Sequence, residues 1–169
     1  MSVLRVATKD ALLFRGKRYR CAIGKGGFSD AKHEGDGCTP IGTFPLRECW
    51  YRKDGIAPPK TGLPVRIIQP DDGWCDAPED ANYNKHVKLP YAASHEKLWR
   101  DDHVYDLIIP IGYNDAPVVP GKGSAIFLHL AKSDYAPTEG CVAMFLPDWR
   151  EILPYLTPET RIDISPLSR

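Results

Sequence analysis

His129 and Cys141 lie twelve positions apart in the stretch FLHLAKSDYAPTEGCVAM, residues 127–144. A thiol and an imidazole are the parts of a cysteine nucleophile and its base: the thiolate attacks, and the imidazole removes the proton. Taken singly, each residue reads more readily as structural. A lone histidine after Phe127 and Leu128 is commonly packed at a sheet margin, and a lone cysteine is commonly an inert buried thiol. The pairing alters that balance. Cys141 follows Gly140 and precedes Val142-Ala143-Met144, which puts the thiol on a tight turn where glycine lets the backbone approach a ligand closely. Free backbone N–H groups around such a turn form an oxyanion hole, and the Thr138 hydroxyl can fix the turn's shape. An imidazolium at His129 would lower the thiol's pKa. No G-x-S-x-G serine-hydrolase motif competes with this reading.

The elements that must position the pair are mostly strands. Residues 3–8, 11–14 and 17–23 alternate apolar and polar and read as short antiparallel strands joined by turns. Strands are also expected over 42–50, 63–69 and 160–165. The strongest buried-strand patterns are VYDLIIPIGYN (104–114) and GSAIFLHLA (123–131). GKGG (24–27) lacks the rest of a Walker phosphate loop and reads as a flexible loop. Residues 51–62 read as a surface loop. Residues 70–100 read as a long polar loop rich in aromatics, closing with a short helix over 94–100 capped by Ser94. Trp74, Trp99, Tyr83 and Tyr91 in that loop either line a cleft or, more commonly, pack it down. LPDWREILPYL (146–156) reads as a helix: Pro147 near its start, Asp148 and Glu151 toward the positive end, and Trp149, Ile152, Leu153 and Leu156 on one face. The expected architecture is mainly β, a single β-rich sandwich domain over 1–169 with one or two short helices.

Composition bounds the function. Twenty-two basic and 22 acidic side chains give a formal net charge of zero, without the basic excess of a nucleic-acid footprint. No run approaches the roughly 20 apolar residues of a membrane span. Arg5, Lys9 and Asp10 interrupt the apolar N-terminus, so no export signal is read there and the expected location is cytoplasmic; a longer start carrying such a signal would make it periplasmic. The five cysteines are an odd, evenly spread set with no C-x-x-C pair, unlike a secreted disulfide framework or a zinc knuckle. His33 and Cys38 offer only two of four ligands, so neither a metal nor another cofactor is expected. Whether Cys38 faces the cleft or packs is left open. Asp101-Asp102-His103 reads as a solvated turn before a strand rather than as a second acid/base cluster.

Two blocks then carry a resemblance. GDGCTPIGTFPL is similar to a T-P-x-G-x-F segment, and HLAKSDYAPTEGCVAM follows it in order with its [ST]-x-G-C ending. Together they resemble the YkuD-type L,D-transpeptidase domain of bacterial enzymes that act on peptidoglycan stem peptides, and the SHEKLWRDDHVYDLIIPIGYN block resembles a short branch of that family. The resemblance implies a β-rich fold in which Cys141 attacks a tetrapeptide carbonyl and His129 is the base. It also implies that the backbone carbonyl of Leu130 orients the imidazole and that the N–H groups of Gly140 and Cys141 hold the oxyanion. Thr138 and Glu139 fall in the substrate-binding segment. Ala143 stands where many members carry Arg or Asn, so Arg100, Tyr113 or Asn114 are the candidates for the substrate-carboxylate contacts. The implied partner is a stem peptide or muropeptide. Hydrolysis of the terminal D-Ala from recycled tetrapeptides, an L,D-carboxypeptidase activity, is the expected function. Crosslinking or exchange by an L,D-transpeptidase is the alternative, and a non-catalytic muropeptide-binding module the second.

Overall fold

In the computed structural model, which describes residues 2–167, 35% of the chain is strand and 6% helix, so the mainly β expectation holds. One five-stranded sheet runs in the order β3 (Lys17–Arg20), β2 (Ala11–Phe14), β1 (Val3–Thr8), β15 (Arg161–Ile164), β6 (Gly42–Pro45). A second runs β14 (Val142–Met144), β13 (Phe127–Leu130), β12 (Leu107–Pro110), β7 (Cys49–Tyr51), β8 (Val65–Ile67). Their facing side chains, among them Leu4, Val6, Ile162, Ile164, Leu107, Ile109, Leu128 and Val142, form the main core. The expected strand over 42–50 is broken in two. Pro45 ends β6 in the first sheet, and the chain crosses to β7 in the second, because proline has no N–H for a continuing ladder.

The second sheet is covered on its other face as well. Strand side chains alternate, so Leu107 and Ile109 enter the main core while Ile108 points the opposite way. Phe127 and Cys141 join Ile108 there, in a second cluster with Trp50, Leu98 and Tyr105. The cover over this face is built from residues expected to be a loop. Residues 72–97 form a three-stranded antiparallel sheet in the order β10 (His86–Lys88), β9 (Asp72–Cys75), β11 (His95–Lys97). The expected helix over 94–100 is β11 instead. His95 and Lys97 pair with Cys75 and Gly73, and the Ser94 carbonyl accepts from the Asp76 N–H rather than capping a helix. Tertiary pairing overrides a weak local helix pattern there. Tyr83 is buried and Trp74 packs edge-on against Phe127, so these aromatics hold the cover down. The remaining pair is β4 (Phe28–Ser29) with β5 (Thr39–Pro40).

The helix expected over 146–156 divides. The α-helix α1 runs Leu146–Ile152, and Leu153–Tyr155 is a 3-10 turn. Pro154 cannot continue an α-helical ladder. The apolar face is the expected one: Trp149, Ile152, Leu153 and Leu156 are all buried.

Candidate active site

Register places the two candidate residues on one face. β13 and β14 are parallel neighbours with His129 opposite Ala143 and Leu128 opposite Val142. Phe127 and His129 therefore share a face of β13, and Cys141 and Ala143 share the same side of the adjoining strand. Both His129 and Cys141 line one cavity of about 420 Å³ beneath the cover, and both are buried.

The turn that carries Cys141 is fixed from several sides. The Thr138 hydroxyl donates to the Cys141 carbonyl at 2.6 Å and accepts from the Gly140 N–H at 3.1 Å. Gly140 has φ +136°, and a Cβ there would stand 2.8 Å from the Cys38 carbonyl oxygen, so the position needs glycine. The fully buried Thr39 accepts from the Gly24 N–H and donates to the Gly140 carbonyl, each at 2.8 Å. Thr138 is paired through its backbone to Ile23 and Lys25. The TPIGTF block and the GKGG loop are thus braces of the thiol's turn, which is the physical reason that the two sequence blocks occur together.

The thiol donates to the Ala125 carbonyl at 3.2 Å and accepts from the Phe127 N–H at 3.3 Å. Burial pushes its pKa up to about 12, and the charge of Glu96 adds to the rise. His129 Nδ1 is 2.8 Å from the Leu130 carbonyl, an arrangement that places the proton on Nδ1 and leaves Nε2 a free acceptor. Burial lowers the imidazole to about 4, outweighing the Leu130 carbonyl. Both shifts favour a neutral thiol and a neutral imidazole at rest. Burial thus works against the imidazolium expected from the sequence, because desolvation disfavours the charged form of each group. Trp149 Nε1–H donates to the His129 carbonyl at 2.9 Å, tying the strand to α1.

A second correction concerns the oxyanion site. The Gly140 N–H is spent on Thr138, whereas the Cys141 N–H has no acceptor among the described residues and is free to donate. Arg100, Thr138 and Glu139 line the cavity, Arg100 held by Asp102 at 2.5 and 3.0 Å and Glu139 by Lys25 at 3.0 Å. Tyr113 and Asn114 do not line it. Tyr113 donates to the Lys122 carbonyl, and Asn114 clasps the 119–123 loop through Val119 and Gly123, so the hydroxyl of the one and the amide of the other are engaged in holding that loop. Cys38 packs against the Gly26 and Asp36 carbonyls outside the cavity.

Compared with known families, residues 3–164 match YkuD, the L,D-transpeptidase catalytic domain. The chain belongs to that family. Among curated proteins, none matches the chain. The family's activity is on peptidoglycan, which supports an acyl-transfer enzyme of that class.

Sequence reasoning missed Tyr105, Glu96, Asp76 and Glu34 as cavity residues. Tyr105 stands edge-on to the His129 ring, with centroids 5.3 Å apart, and its hydroxyl donates to Glu96 at 2.9 Å. No local motif marks them. Glu96 and Asp76 reach the cavity only because the cover folds as a sheet.

Proposed function

We propose that this member is an L,D-carboxypeptidase that removes the terminal D-amino acid of a peptidoglycan tetrapeptide through a thioester on Cys141. The observation that carries the reading is a buried thiol and an imidazole lining the same cavity, with the Leu130-bonded Nδ1 leaving Nε2 unprotonated and able to accept. Because the resting thiol is neutral, proton removal and attack are coupled. Nε2 takes the thiol proton as Sγ bonds to the carbonyl carbon of the third stem residue, and the Cys141 N–H donates to the developing oxyanion. Collapse breaks the C–N bond, and the imidazolium returns the proton to the departing D-Ala amine. His129, neutral again, then removes a proton from the water that attacks the thioester. The C–S bond breaks and the thiol is restored. An amine that outcompetes water at the thioester gives the transpeptidase outcome instead.

The test is incubation with L-Ala-γ-D-Glu-diaminopimelate-D-Ala, with and without an added amine. Mass spectrometry is expected to find tripeptide and free D-Ala, and no product from Cys141→Ala. Transfer product dominating over tripeptide would replace hydrolysis by transpeptidation. Turnover by neither route would leave a muropeptide-binding module.

A further inference from the structure

Asn84 is buried and lies outside the Cys141 cavity, yet both polar atoms of its side chain are fully engaged. Oδ1 accepts from the Trp74 Nε1–H and from the Ala125 N–H, each at 3.0 Å. Nδ2 donates to the Tyr113 carbonyl at 3.1 Å and to the Asn114 carbonyl at 2.8 Å. The backbone N–H of Asn84 donates to the Cys75 carbonyl at 2.9 Å, which anchors the residue to β9. Its neighbour grips the same segment: the Tyr83 hydroxyl accepts from the Gly123 N–H at 2.9 Å. Two consecutive cover residues thus hold the chain just ahead of β13.

The segment they hold reaches the nucleophile. Ala125 has φ +54°, a left-handed backbone that alanine adopts only at a cost. It precedes β13, and its N–H goes to the Asn84 amide instead of to a strand ladder. Its carbonyl accepts from the Cys141 thiol at 3.2 Å, while the Phe127 N–H donates to the same sulfur at 3.3 Å. Relaxation of Ala125 toward negative φ would turn its peptide planes and carry that carbonyl off the sulfur. A strained backbone persists only where its surroundings over-determine it, and the group that meets Ala125 here is the Asn84 amide. One side chain therefore bears on both the backbone at 125 and the seat of the thiol, without reaching the cavity.

We propose that Asn84 is a positioning residue for the nucleophile: by holding the Ala125 N–H it keeps that residue left-handed, so that the Ala125 carbonyl seats the Cys141 sulfur. The consequence for turnover rests on the acyl-enzyme reading above, whereas the seating of the sulfur does not.

The test pairs Asn84→Ala with a second change, Ala125→Gly. Loss of the amide is expected to lower kcat for the tetrapeptide by roughly 10- to 100-fold with KM within about threefold, since a reacting group misplaced by about 1 Å loses that much while substrate contacts remain. Adding Ala125→Gly to Asn84→Ala is expected to recover kcat about three- to tenfold, because glycine takes a positive φ without the penalty that drives alanine away. Iodoacetamide labelling, mapped by peptide, reads the sulfur without substrate. The Ala125 carbonyl accepts the S–H and so favours the neutral thiol. Its departure in Asn84→Ala is expected to make Cys141 label at least about tenfold faster, and adding Ala125→Gly to slow it again. Cys49, fully buried in the main core, is expected to stay unlabelled throughout. Asn84→Ser, which keeps a polar side chain there, is expected to show the same pattern at smaller amplitude and carries the test should Asn84→Ala not fold. Cys49 labelling in step with Cys141 in both variants would mean that the whole fold has opened, and it overturns the proposal. So does a loss of kcat that Ala125→Gly leaves unrelieved. If the native protein turns over no tetrapeptide, the acyl-enzyme reading falls and the labelling pattern alone decides the role of Asn84.

Discussion

The turn at 138–141 and the cover at 72–97 face each other across one cavity and are built on opposite terms. The turn is over-determined: Thr138, Thr39 and the 23–25 backbone fix it by hydrogen bonds, and Gly140 adopts a backbone that no other residue takes without strain. The cover reaches the same cavity with Glu96 and Asp76, of which one has a single hydrogen bond and the other none. A nucleophile must be held within a fraction of an ångström of its target, and a rigid scaffold does that. The cover places no comparable set of hydrogen bonds on Glu96 and Asp76.

The comparison breaks first on the turn. Cys141→Ala is expected to abolish tripeptide formation, and His129→Ala to reduce kcat/KM by roughly 10²–10⁴-fold, the usual share of a general base. Gly140→Ala is the next largest effect. The added Cβ meets the Cys38 carbonyl at 2.8 Å and sits on an unfavourable φ, so we expect a loss of about 1–3 kcal/mol in stability and a larger proportional loss in activity. Denaturant unfolding and single-turnover kinetics on the same sample measure both. Thr39→Val strips one acceptor and one donor from a buried site and is expected to cost about 1–3 kcal/mol by the same unfolding measurement. Equal losses from Thr39→Val and from a change on the exposed cover surface, such as Lys97→Ala, would erase the contrast.

The titrations sharpen it. The imidazole of His129 is lowered to about 4 in the fold and returns to about 6.5 when unfolded, so the unfolded chain binds the extra proton between those values. Stability is therefore expected to fall as pH drops from about 6.5 to 4, by about 3 kcal/mol from this group. In the other direction, burial raises Cys21, Cys49 and Cys141 to about 12 from 9.0. The unfolded chain sheds those protons first, so stability is expected to fall as pH rises above about 9. Thermal unfolding across pH 4 to 11 follows both limbs. The smallest expected effect is at Tyr113→Phe, which removes a hydroxyl bonded to Lys122 outside the cavity and should leave kcat/KM within about twofold.

The same contrast explains how much was legible in the sequence. Residues of the sandwich declare themselves by alternation: Leu107-Ile108-Ile109 and Phe127-Leu128 divide between two cores as a period of two requires. The candidate pair, Cys141 and His129, belongs to or adjoins that regular part, so the pattern could place it, whereas the Leu130 carbonyl was named from the family resemblance. Neutrality of the pair did not follow, because desolvation depends on what covers the cavity. The cover's strands are three or four residues long and polar, with Gly73 and a cis Leu89–Pro90 bond among or beside them. Their pairing is long-range, and a short polar strand carries no period to read. Glu96 and Asp76 consequently had no sequence signal, while Tyr113 and Asn114, named as candidates for the substrate-carboxylate contacts, hold a loop together.

Intact-protein mass spectrometry on rapidly quenched mixtures with the tetrapeptide, followed by peptide mapping, tests the central claim most directly. The account predicts a tripeptidyl thioester on Cys141 that forms as D-Ala is released and accumulates less in His129→Ala. Tripeptide appearing from Cys141→Ala, or an adduct mapped to any other of the five cysteines, would contradict it.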